Sequence, residues 1–144
     1  MNLMQKYILI LKEALEKMQK HALELAGKMW DDSINEVIKD YPWLENEYEN
    51  ENKDYLKKYF VAGFGCGFYH LTENLIQFRK TDIENDELDA IAAVKLQTVA
   101  AEEGKLENIN EFVLDAFQIA YIKGYRIAQE KIKNIADIVE LFGV

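Results

Sequence analysis

From Met4 to Leu25 the chain places Met4, Ile8, Leu11, Leu15, Met18, Ala22 and Leu25 at alternating steps of four and three. On a helix those steps keep one face apolar, a seam of the kind that bundles and coiled coils bury. The pattern predicts a helix over 2–27, with Gly27 as its stop, because glycine readily takes the left-handed conformation that ends helices. Further starts are marked by capping boxes, in which a small polar side chain accepts from an open backbone N–H and a glutamate three residues on reaches back. Ser33 with Glu36 predicts a short helix over 33–40, Thr81 with Glu84 one over 82–103, and Asn108 with Glu111 one over 109–142. The apolar run between them predicts a helix over 53–80, and Gly104 ends the helix before it. Pro42, the only proline, and the polar run LENEYENENKD read as a loop or a short frayed helix. The expected fold is all-α, a single helical domain over 1–144: a bundle of four long helices plus one short helix.

Three of the seven glycines, Gly63, Gly65 and Gly67, fall within the most apolar segment. A phosphate-cradling loop would need a strand before it, a helix after it and a Lys-Ser/Thr pair or a later acid, and these are missing. A second copy of the pattern points to packing instead. Phe60-x-x-Gly63-Phe64-x-x-Gly67 is echoed by Tyr121-x-x-Gly124-Tyr125-x-x-Ala128. On helices, Gly63 and Gly67 share a side, as do Gly124 and Ala128, so two backbones can approach closely there. The match is compatible with an internal duplication of a helical hairpin.

The 144 residues suffice for one domain with a real core, and 49% hydrophobic with 30% charged residues is ordinary for a soluble protein. One cysteine, Cys66, forms no internal disulfide, and the N-terminus lacks a basic leader and cleavage site, which predicts a cytoplasmic, reducing location. The longest uncharged run, Tyr59 to Thr72, has 14 residues, short of the ~20 that a membrane span needs.

The formal charge of −9 is unevenly distributed. Residues 31–54 and 81–111 each sum to −7, whereas 1–30 carry +2, 55–80 carry +3 and 112–144 are neutral. If the helices run up and down, the first acidic block and the 104–108 connection, with Glu102, Glu103, Glu107 and Glu111, share one end of the bundle. Acids near helix starts complement the dipole, which accounts for Glu84, Asp86 and Glu87. Solvation of a loop accounts less well for ENEYENEN, because a loop does not require four alternating carboxylates to stay in water. Glu45, Glu47, Glu49, Glu51 and Asp54 are therefore the candidate partner-binding residues, facing a basic protein; such a surface repels nucleic acid and anionic membrane.

Candidate chemistry is sparse. His21 with Glu24 and His70 with Glu73 form His-x-x-Glu pairs, the reverse of the Glu-x-x-His order of di-metal bundles. His70 continues the small-residue stripe Gly63, Gly67, Asn74, where a packed, hydrogen-bonded histidine is the simpler reading. Glu84-x-x-Glu87 followed by Glu111 and Asp115 resembles the two acidic pairs that bind magnesium in all-α nucleotide pyrophosphohydrolases of the MazG and dimeric dUTPase type, but the second pair has one residue too many. Cys66 has no activating base in sequence, and Ser33 is the only serine. No catalytic residue, metal site or cofactor is expected, and a metal-binding bundle or pyrophosphohydrolase remains the enzymatic alternative.

The sequence thus points to a non-enzymatic binding protein, a regulator or inhibitor of a basic, nucleic-acid-binding partner. In size, charge and lack of a catalytic constellation it is similar to small phage-borne anti-defence proteins such as anti-CRISPR inhibitors. A structural homo-oligomer is the further alternative. A continuous helix from Asn108 to Phe142 would span about 50 Å, more than a compact globule of this size contains. Either it breaks near Asn134, or Ile135, Ile138, Val139 and Phe142 project as an apolar face that needs cover. The expectation is a homodimer in which the C-terminal segment or the Phe/Tyr-Gly stripes pack between subunits.

Overall fold

The computed structural model describes residues 2–39 and 50–143, and these are all-α. Five helices follow one another: α1 (Leu3–Ile38), α2 (Asn50–Ile76), α3 (Asn85–Glu102), α4 (Glu111–Lys131) and α5 (Ile135–Phe142), with a 3₁₀ turn at Leu106–Asn108. Among the described residues no helix is long and apolar enough to cross a membrane.

α1 begins with a capping box formed by Asn2 and Gln5. Asn2 Oδ1 accepts from the Gln5 N–H at 2.8 Å and Gln5 Oε1 accepts from the Asn2 N–H at 3.0 Å. The helix then runs through Gly27 and Ser33, so the two segments expected at 2–27 and 33–40 are one element. The reason is tertiary. Ala22, Ala26, Trp30, Ser33 and Val37 keep one buried face in register, and Trp30 packs edge-on against Phe60 with centroids 5.4 Å apart. That burial outweighs the cost of about 1 kcal/mol for glycine in a helix interior, and Ser33, 4% exposed, belongs to the core rather than to a cap.

Other boundaries move for comparable reasons. α2 ends at Ile76, where Phe78 (φ 55°) takes the left-handed conformation and the Arg79 N–H donates to the Asn74 carbonyl at 2.7 Å. The Thr81 cap does not form, and α3 starts after Glu84. The connection is held from outside instead: Tyr125 Oη and Gln129 Nε2 donate to the Thr81 carbonyl at 2.5 and 3.2 Å, and Arg126 Nη2 donates to the Ile83 carbonyl and to Asn85 Oδ1. Gly104 (φ 68°) closes α3, and Asn110, not Asn108, caps α4 by accepting from the Val113 N–H at 3.0 Å. The long C-terminal helix breaks at 132–134. Asn134 Oδ1 accepts from the Asp137 N–H, Asp137 Oδ2 accepts from the Lys133 N–H, and α5 turns back onto α1. Ile138 is fully buried and the Phe142 ring lies 5.5 Å from His21, so the C-terminal apolar face does not project.

The end that does project is the start of α1. Thr72 Oγ1 donates to Met18 Sδ at 3.2 Å, which sets Met18 level with the last turns of α2. Residues 3–10 therefore extend past the end of that helix, and Leu3, Met4, Tyr7, Ile8, Leu9 and Ile10 are all exposed, Leu3 at 84%.

Two helical hairpins, α1–α2 and α3–α4, meet through their second helices, which run parallel. A Cβ at Gly63 would stand 2.5 Å from the Phe117 carbonyl oxygen, one at Gly67 2.8 Å from the Tyr121 carbonyl carbon, and one at Gly124 3.0 Å from the Phe64 carbonyl carbon. Each motif's glycines thus face backbone of the other helix. Ala128, the fourth small residue of the pattern, is fully buried on the same helix. Phe60, Phe64, Phe68, Phe117 and Tyr125 fill the core on either side of this crossing.

Candidate functional site

The topology gathers acids at one end. α2 starts, α3 finishes and α4 starts there, and the salt bridge between Lys58 Nζ and Glu103 Oε2 at 2.9 Å fixes the start of α2 beside the end of α3. Asp54, Glu102, Glu107 and Glu111 are exposed at this end. Glu36 of α1 is tied to Lys123 at 3.1 Å. The hydrogen bond from Lys58 holds the Glu103 carboxyl below, and the Lys58 ammonium above, its ordinary pKa. Of the candidate residues, Glu45, Glu47 and Glu49 lie outside the described residues; Glu51 is in the first turn of α2, its side chain outside the described set.

A second site was not assembled by sequence reasoning. α1 and α3 flank a groove of about 520 Å³ whose floor is the outward face of α2. Leu23 forms one wall and Ile91 with Lys95 the other; Ala62, Gly65, Cys66, Tyr69, His70 and Glu73 line the floor, and Arg79 stands at the lower end. The glycines divide between two faces. Gly63 and Gly67 lie in the dry crossing, whereas Gly65 opens the groove, its nearest neighbour being Leu23 Cδ2 at 3.3 Å from a Cβ.

His70 sits at the border of the two. Tyr121 Oη lies 2.7 Å from its Nδ1, and its ring packs against Tyr121 and Tyr125 at 5.8 and 5.3 Å. Burial pushes the imidazole pKa down and the Tyr121 phenol pKa up, so both are neutral. A phenol donating to an unprotonated Nδ1 suits that state and leaves the ring hydrogen on Nε2. Cys66 is half-buried in the groove rather than in the core, and burial raises its thiol pKa, which keeps it a poor nucleophile.

The acidic pairs of the pyrophosphohydrolase resemblance do not converge. Arg126 bonds Asn85 at the foot of α3, next to Glu84 and Glu87. Glu111 lies fifteen residues earlier on α4, about 22 Å up the axis, and Asp115 about 16 Å. His21 and its ring partner Phe142 lie on α1 and α5, away from His70. No group of three or more His, Cys, Asp or Glu suited to a metal ion occurs among the described residues. No protein-family model, curated protein or solved structure matches the chain.

Proposed function

We propose that the protein is a non-enzymatic binding protein whose acidic end docks on a basic protein, as a regulator or inhibitor of nucleic-acid-binding machinery would. The observation that carries this reading is the Lys58–Glu103 contact: it puts the start of α2, whose first turn holds the end of the ENEYENEN run, beside the acid-bearing 102–111 connection. Reactive side chains, by contrast, are neutral or far apart. Reversing Glu45, Glu47, Glu49 and Glu51 to Lys should weaken binding to a poly-lysine probe, and the wild-type affinity should fall as salt rises. Reversing four acids at the other end, Asp82, Glu84, Asp86 and Glu87, changes net charge equally and should weaken it less. Equal losses would mean that net charge, not this end, attracts the probe.

A second reading concerns assembly. Met4, Ile8 and Leu11 continue the seam that α1 buries further along, and the turns carrying Met4 and Ile8 are uncovered, so self-association would run through this segment. Sedimentation of the full chain and of a chain lacking residues 2–10 tests it: a full-length monomer at about 10⁻⁵ M removes the homodimer.

A further inference from the structure

The groove between α1 and α3 supports a separate reading, independent of the acidic end. Its volume of about 520 Å³ lies within the range of small-molecule sites, and its position between helices of a bundle is a usual one for them. The floor offers little side-chain bulk, because Ala62 and Gly65 replace what would otherwise fill the space. Leu23, 49% exposed, and Ile91 present apolar surface from the two walls.

The charges facing this space are of the less abundant sign. The chain has 26 acids against 17 lysines and arginines, yet Arg79 and Lys95 both line the groove, and neither has an ion-pair partner among the described residues. Glu73, the acid of the lining, is engaged by Gln77 Nε2 at 3.4 Å. His70, neutral and fixed by Tyr121, adds no charge and keeps a ring N–H.

We propose that the groove binds a small amphipathic anion: a monocarboxylate whose apolar body, roughly eight carbons, lies on Ala62 and Gly65 between Leu23 and Ile91 while Arg79 and Lys95 hold the carboxylate. A neutral apolar ligand would leave both cations unused. A polyanion such as a nucleoside triphosphate would bring more negative charge than two cations and a nearby Glu73 can balance, in a chain already at −9.

Cys66, the only cysteine, reports on occupancy. Modification of the full chain by N-ethylmaleimide is followed by mass spectrometry with sodium octanoate, or with 1-octanol, which has the same tail and no charge. Octanoate at about 1 mM should slow the reaction about fivefold, and octanol at the same concentration less than twofold. Arg79 and Lys95 are both exposed, so Arg79→Glu with Lys95→Glu should keep the helix content seen by circular dichroism while weakening octanoate about tenfold. Absence of protection by octanoate overturns the site. Equal protection by octanol, or wild-type octanoate affinity in the double variant, overturns the anion recognition.

Discussion

On the face of α2 turned toward α4, Gly63 and Gly67 let two backbones meet, and Phe60, Phe64 and Phe68 beside them are fully buried. On the face turned away, Ala62 and Gly65 lie beside Cys66, Tyr69 and His70, and no helix covers them. The same economy of side-chain volume produces a dry contact on one side and an opening on the other. What differs is the partner. The crossing helix brings its own small residue, Gly124, and packs carbonyls against the gap. α3 stays packed on α4 and touches α2 little, so the gap at Gly65 stays open.

The strongest way to break that contrast is Gly67→Ala. A Cβ there would lie 2.8 and 3.0 Å from the carbonyl carbon and Cα of Tyr121, which are backbone and cannot rotate away. Overpacking of this kind costs about 1–3 kcal/mol. Alanine gains up to about 1 kcal/mol of helix propensity, so a net loss of stability in urea unfolding is expected, larger for Gly67→Leu. A stabilised Gly67→Ala would mean that the helices can separate at no cost and that the crossing does not organise the core.

The crossing was legible in the sequence and the groove was not, for a physical reason. An aromatic-x-x-small repeat is local to each helix, and its meaning, close approach, needs only a second copy. The groove depends on residues brought together from four places: Leu23, Gly65, Ile91 and Arg79. Its central pair, His70 and Tyr121, is 51 residues apart. The available signal was Gly65, the third glycine, which fits neither the Gly63–Gly67 side nor a turn. Boundary errors have a similar origin. Ser33 has the chemistry of a cap, but its position on the buried face of α1 decided otherwise, and Thr81 lost its cap role when Tyr125 and Gln129 took its carbonyl. At Asn134 the sequence allows either a break or a continuous helix, and the bond it accepts from the Asp137 N–H makes the break.

Smaller effects of opposite sign should appear where glycine faces space. A Cβ at Gly65 meets only the tip of Leu23, a half-exposed side chain able to turn aside, and one at Gly27 meets nothing within 4 Å. Gly65→Ala and Gly27→Ala should each stabilise the fold by up to about 1 kcal/mol through helix propensity. Two glycines only two residues apart, Gly65 and Gly67, would then respond to the same change in opposite directions. A loss at Gly65 comparable to that at Gly67 would show that the groove is packed shut in solution.

The smallest expected effect lies at the border between the faces, in the pH dependence set by His70. Burial holds its folded-state pKa below 6.5, so as pH falls through 6.5 the unfolded chain takes up a proton that the folded chain refuses. The unfolded state then binds more protons, and stability declines as pH drops from 6.5 until the folded-state pKa is reached, after which this contribution is constant. Above pH 6.5 it vanishes, since both states are neutral. His70 is only partly buried and lines the groove, so water screens the shift and the slope should stay below the 1.4 kcal/mol per pH unit that one whole proton gives. His70→Gln keeps an acceptor for the Tyr121 hydroxyl and removes the titration. The difference in unfolding free energy between wild type and His70→Gln should therefore change between about pH 7 and 5 and be flat above pH 7. A difference that is flat throughout would mean that His70 charges in the folded protein as readily as in water, with the Tyr121 hydrogen bond opening to let it do so.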